Sequence, residues 1–458
     1  MAGIGFELKR MLDERQGLFT RVRAYACASL IAAGPWVMTV FTLAVLNAFG
    51  LPLKDRANYE IFRGLVTYVF AASLVVVGLF HMAATRWVAD RIYMHQYDRV
   101  LPAFVVLLSV LASWQSLTGS LFCWWAGFDL RLAMVVVTLY VIVSLTWVAL
   151  IWLSIVREYD VVLRAYVFGT LLSILCILWL GLSRSAREIL VGYSSGQALT
   201  LMLLLRAVVR GMQADGKRDL SVLGSFALYP RLAAIGFLYH LAIWVDKVIL
   251  WITDGVGPHR FIRFHPLYDS CTLLGYLTVV PALAVNLIRL ETSFYERYRR
   301  YYGSVLNGAP LRIIEQARQR MLGVLSESTV RLLRAQGAVS VLAIVFAHQI
   351  TGAFGLPPAA VPIFRLACLG AFFHVLFLLT MTTQLYFDLQ REAHLSALVF
   401  LVLSAGLGLA SARVGLATYG LGYAVSAFVA LLVAFQLLRR SLGRLDFLTF
   451  TRQPAGMA

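Results

Sequence analysis

Residues 236–252 read GFLYHLAIWVDKVILWI, an apolar run long enough to cross a membrane that nonetheless holds Asp246 and Lys247. Ionisable side chains in such runs are rare and face a cavity or a partner, since each costs about 2.5–3.5 kcal/mol at the centre of a lipid-facing helix. On a helical wheel His240, Trp244, Lys247 and Trp251 share a narrow arc, while Tyr239, Ile243, Asp246 and Leu250 lie on a neighbouring face. Adjacent residues diverge by about 100°, so the wheel gives Asp246 and Lys247 separate partners. Lys247 can relieve part of its cost by extending outward along the helix, whereas the shorter Asp246 needs water or a partner close by. Two chemistries follow. The charges brace this helix against others, or they line a cavity in which Trp244 and Trp251 stack on sugar rings and the charges bond hydroxyls.

Other chemistry is poorly represented. GMQADGKR, residues 211–218, approaches a phosphate-cradling loop, but Arg218 stands where a magnesium-binding hydroxyl belongs and no strand precedes it. No His, Cys and carboxylate cluster has metal-ligand spacing, so neither a metal nor a cofactor is expected, and no catalytic residues are assigned. Cys27, Cys123, Cys176, Cys271 and Cys368 all lie in or beside apolar runs without CxxC spacing, which reads as packing. GYSSG, residues 192–196, is a small-residue stripe suited to close helix packing. His81, His240, His348 and His374, with Asn47, Gln115, Gln197, Asn286, Gln349 and Gln384, scatter polarity over several apolar runs. A single such histidine reads as a bonded core residue, and the set together suits a path for a hydroxyl-rich solute better than an ion filter.

The elements that must hold these residues are membrane helices. The chain has 458 residues, of which 60% are hydrophobic and 14% charged, too apolar for a soluble protein of this length. At about 20 residues per crossing, twelve spans are expected, near 24–50, 61–85, 101–125, 132–156, 166–183, 188–209, 232–252, 268–289, 337–355, 363–386, 395–411 and 416–438. With the N-terminus inside, 29 of the 40 Lys and Arg residues fall in or beside cytoplasmic segments and 10 in or beside outer ones. That bias supports the count and places both termini in the cytoplasm. The net charge of +17 is therefore mostly topology, with anionic lipid as its counter-surface and no nucleic-acid partner.

The expected organisation is an interfacial amphipathic helix at 1–23, built on Ile4, Leu8, Met11 and Leu12, then an N-terminal lobe of six spans at 24–209. A cytoplasmic linker follows at 210–231, then a second six-span lobe at 232–438 and a basic tail at 439–458. The longest connector, 291–336, is read as an amphipathic cytoplasmic loop, far too short for a catalytic domain. In it Phe294, Tyr298, Tyr301 and Tyr302 share a helical face amid Arg297, Arg299 and Arg300, which suits either the lipid headgroup zone or the docking of a cytoplasmic partner.

Four stretches carry a family resemblance: MAGIGFELKRML at the N-terminus, AAGPW in span one, YHLAIWVDKVILW in span seven, and YLTVVPALAVNLIRLETSFYERYRRYY across span eight and its loop. They closely resemble the PelG family, inner-membrane components of the Pel exopolysaccharide export system of Gram-negative bacteria. The resemblance runs from Met1 to about residue 440. It implies a twelve-helix member of the multidrug/oligosaccharidyl-lipid/polysaccharide (MATE/MOP flippase) superfamily, working with a cytoplasmic glycosyltransferase and the membrane proteins PelD and PelE.

The expectation is an all-α polytopic polysaccharide translocase of the inner membrane. It passes a hexosamine-rich glycan for biofilm matrix between two lobes and performs no covalent chemistry. A cation-coupled exporter of small molecules or lipid-linked sugars on the same scaffold, with Asp246 as its protonation or sodium site, is one alternative. A non-transporting scaffold for the synthase is another.

Overall fold

The computed structural model describes residues 28–29, 34–46, 56–156, 159–181, 185–212, 219–259, 261–289 and 293–451. The interfacial helix expected at 1–23, Cys27 and most of the GMQADGKR stretch lie outside them. Eleven helices among the described residues are long and apolar enough to cross a membrane, and a shorter apolar helix, α1 (Gly34–Leu46), falls within the first expected span.

The chain forms two compact units. The first comprises Met1–Gly236, Gly255–His265 and Val280–Leu332; the second comprises Phe237–Asp254, Pro266–Val279 and Leu333–Ala458. In the first, α1 is followed by α2 (Arg56–Tyr93), α3 (Val100–Trp125), α4 (Leu130–Val156), α5 (Tyr159–Gly181) and α6 (Ala186–Gly211). The small-residue stripe of α6 acts by packing. A Cβ on Gly196 would lie 2.1 Å from the Gly169 carbonyl of α5, so only glycine allows this approach. Ser173 of α5 donates to the Tyr193 carbonyl at 3.0 Å alongside it. Gln115 Nε2 donates to Ser144 Oγ at 2.9 Å, fully buried between α3 and α4. Among the described residues the cysteines Cys123, Cys176, Cys271 and Cys368 are free.

A short helix, α7 (Ser221–Leu228), leads into α8 (Pro230–Thr253), which carries span seven and crosses from the first unit into the second. Two strands follow that the sequence reading does not anticipate: β1 (Val256–His259) and β2 (Ile262–Phe264), paired antiparallel with Val256 opposite Phe264. Alternation explains them. Ile262 and Phe264 point one way and are buried against α2, where Gly64 leaves room for both side chains. Tyr68 OH donates to the Arg263 carbonyl at 2.8 Å, and the Arg263 guanidinium bonds the Gly255 carbonyl at 2.6 and 3.0 Å.

The expected span eight is two helices, α9 (Pro266–Leu277) and α10 (Val280–Arg289). Pro281 has no N–H and disfavours helical geometry in the residue before it, so the chain tightens into i to i+3 turns at Thr278 and Val279.

The connector expected at 291–336 is helical. It forms α11 (Tyr295–Leu306) and then enters α12 (Leu311–Val345), a helix of 35 residues continuous with the ninth span. The sequence boundary at 337 marks a change from charged to apolar faces, with no break in the backbone. α13 (Ala347–Ala353), α14 (Ala360–Tyr386), α15 (Gln390–Val414), α16 (Leu421–Leu442) and α17 (Leu445–Thr451) complete the chain.

Candidate functional site

α8 is apolar on all sides, with Pro230 at its first position where a missing N–H is harmless. Its C-terminal part, in the second unit, places Asp246 and Lys247 in the protein interior, 3% and 5% exposed. The expectation of separate partners is overturned: Lys247 Nζ lies 3.2 Å from Asp246 Oδ1. The wheel describes where Cβ atoms point, but a lysine has four methylenes beyond its Cα, and helical side chains lean toward the N-terminus. Lys247 folds back along the helix and donates to the Ile243 carbonyl at 3.0 Å, which brings its ammonium beside the preceding carboxylate. It therefore does not extend outward, as the sequence reading anticipates.

Other helices of the same unit close around the pair. Tyr268 of α9 donates its hydroxyl to Asp246 Oδ2 at 2.5 Å. Tyr276, two turns further along α9, receives a bond from Lys247 Nζ at 3.4 Å. The ammonium also lies 5.1 Å from the Tyr276 ring centroid, 5.7 Å from Tyr423 of α16 and 5.8 Å from Trp244, three cation–π contacts. Behind these rings His374 of α14 uses both nitrogens, Nε2 with Tyr239 OH at 2.9 Å and Nδ1 with Tyr423 OH at 2.8 Å. Gly408 of α15 sits against the backbone of Asp246, where a Cβ would meet its Cα at 3.4 Å.

The arc proposed for substrate divides accordingly. Trp251 is 3% exposed and its Nε1 donates to both oxygens of Asp269 at 3.0 Å, so neither ring face is open for stacking. Trp244 and His240 are half-buried, and the buried Nε1 of Trp244 has no hydrogen-bond partner among the described residues. Three members of the wider polar set also serve as internal braces: Gln115 between α3 and α4, His374 as above, and Gln384, whose Nε2 donates to the Ala434 carbonyl at 2.9 Å. These three do not line a path.

The aromatic face of the 291–336 segment is likewise occupied. Phe294 and Tyr301 are 0% exposed, and Phe294, Tyr298 and Tyr302 stack in sequence with centroids 6.0 and 4.5 Å apart. Protein covers Phe294 and Tyr301 fully and Tyr298 and Tyr302 in part, with Arg299 and Arg300 exposed and Arg297 half-buried.

No group of three or more metal-ligating side chains occurs among the described residues. What the arrangement can do is hold a neutralised charge pair inside an apolar helix bundle and lock α8, α9, α14 and α16 to one another. Nothing in it resembles a nucleophile with its base, so the site offers binding and bracing and no bond-breaking chemistry.

The model of the PelG exopolysaccharide exporter family (EPS-E) matches residues 1–450. The chain belongs to that family. Its members are transporters, which agrees with a site that braces helices and performs no catalysis. No curated protein matches the chain, but solved structures share its fold. An outward-facing multidrug-resistance MATE transporter of the MOP superfamily is 15% identical, with 97% of this chain and 94% of that one covered at a TM-score of 0.55. A MATE crystal structure in complex with MaD5 gives 14% identity, 92% and 95% coverage and a TM-score of 0.59. A MOP superfamily transporter from Pyrococcus furiosus gives 15%, 97% and 94%, and 0.52. At these identities the likeness establishes the MATE-like fold.

Proposed function

We propose that this exporter moves a hexosamine-rich exopolysaccharide across the bacterial inner membrane, both termini in the cytoplasm, as polymer is supplied by a cytoplasmic glycosyltransferase. PelD and PelE are the membrane partners that the family resemblance implies. The observation that carries the reading is the match to an exopolysaccharide-exporter family over residues 1–450. The MATE-like fold supports it.

Within the translocase, the Asp246–Lys247 pair is a brace for the second unit, and His240 and Trp244 are the members of the arc left to meet glycan. Asp246 already accepts bonds from Lys247 and Tyr268, so its carboxylate is poorly placed to bind a coupling cation. The test is fractionation of cells that synthesise the polymer with and without this protein. Loss of the protein is expected to leave polymer, or its precursor, on the cytoplasmic side. Equal surface polymer in both strains would defeat the proposal.

A further inference from the structure

α16 shows where the bilayer ends. From Leu421 to Phe435 its exposed residues are Leu421, Val425, Phe428, Leu432 and Phe435, all apolar and spaced by three or four, so they form one stripe. A hydrated cavity needs polar groups on its wall. This stripe has none over roughly 21 Å of a membrane span, so it faces lipid tails. The first exposed polar residues, Gln436, Arg439 and Arg440, follow in the last turns of the helix. Arg439 continues the stripe at the next four-residue step. Ser441, on the opposite side, is held by protein, its Oγ donating to Glu392 Oε1 of α15 at 3.1 Å.

The backbone then breaks. The Gly443 N–H bonds back to the Arg439 carbonyl, but Arg444 reaches only Ser441, three residues back, and the four-residue ladder resumes with Leu448 on Arg444. α17 is thus a separate helix that begins within one turn of the end of the span. On one side of it Leu445 is buried and Leu448 half-buried, while Phe447 and Phe450 stand 67% and 48% exposed on the other. Arg439, Arg440 and Arg444 are also exposed, and none forms an ion pair among the described residues. Exposed phenylalanines flanked by unpaired arginines have the make-up of an element that lies in a membrane surface. What covers them is continuous with the lipid that the α16 stripe already faces.

We propose that α17 lies in the headgroup layer and, with Arg439, Arg440 and Arg444, forms a binding site for anionic phospholipid. The guanidiniums donate to phosphate oxygens, for which their planar forks are suited, and Phe447 and Phe450 enter the top of the acyl chains. A net-anionic headgroup is preferred to a choline one because no ammonium competes with the arginines. The site is independent of what the exporter carries.

The test uses the full-length protein in nanodiscs of equal phosphatidylcholine and phosphatidylglycerol, with a fluorescent amino acid at residue 447 and, as a reference, at residue 425 on the far part of the stripe. In each sample one of the two lipids is brominated near the top of its acyl chains. At residue 447 brominated phosphatidylglycerol is expected to quench about threefold more than brominated phosphatidylcholine, and aqueous iodide to have no effect. Arg439→Gln/Arg440→Gln/Arg444→Gln, and separately raised salt, are expected to remove the preference. At residue 425 both brominated lipids are expected to quench alike in every variant, which shows that the protein is folded in the bilayer. Quenching at 447 by iodide in place of lipid, equal quenching by the two lipids in the unaltered protein, or a preference that survives the arginine replacements would each overturn the proposal.

Discussion

Lys247→Met removes the ammonium and leaves the Asp246 carboxylate buried with only the Tyr268 hydroxyl beside it. At the observed 3.2 Å and an effective dielectric near 20, the pair attracts by about 5 kcal/mol. Breaking one partner of such a pair costs about 3–5 kcal/mol, because the survivor is an uncompensated charge. Asp246→Asn is expected to cost a similar amount by stranding Lys247. The double variant strands neither and is expected near the unaltered protein, within about 1 kcal/mol. The coupling between the two sites is therefore about 5 kcal/mol or more. Reversible SDS unfolding followed by tryptophan fluorescence reads all four proteins. Effects that add to within about 0.5 kcal/mol would refute the pairing and restore separate partners for the two residues.

Tyr268→Phe deletes the 2.5 Å bond to Asp246 and is expected to lower stability by about 1.5–3 kcal/mol in the same unfolding assay. Gly196→Ala drives a methyl into the Gly169 carbonyl and is expected to cut the yield of monodisperse protein in detergent sharply, whereas Gly224→Ala, with nothing within 4 Å, leaves it unchanged. Gly64→Val crowds Ile262, whose Cγ2 already lies 2.9 Å from an added Cβ, so amide exchange in 261–264 is expected to accelerate while exchange in α4 stays as before. His240→Ala with Trp244→Ala is expected to lower polymer export at normal protein abundance, but Trp251→Phe, which loses the indole N–H bonds to Asp269 and part of a buried ring, is expected to lower stability and leave export per folded molecule intact.

Spans were legible because apolar runs of about 20 residues have few other uses, and the break in span eight was written in Pro281. The ends of elements were less so. In α12 the charged residues up to 334 mark where the surroundings change, which hydropathy reports as though the helix itself stopped. The β1–β2 hairpin had a signal in Phe261–Phe264, whose residues alternate in burial, but its strands are too short to outweigh the helices around them. At the site, Asp246 and Lys247 were conspicuous, yet the wheel treated a lysine as a fixed vector and so misassigned its partner. Tyr268, Tyr276, His374 and Tyr423 come from three other helices. Single tyrosines or a histidine in apolar runs give no local sign of the bond each makes.

The central claim is tested most directly in proteoliposomes that hold this protein, with the glycosyltransferase and its sugar nucleotide outside. Polymer is then assayed for resistance to an added glycoside hydrolase. The exporter account predicts polymer that enters the lumen and resists digestion until detergent is added, with none protected when the protein is omitted. Polymer that forms at a normal rate but stays fully digestible would contradict it and leave the protein as a scaffold for synthesis.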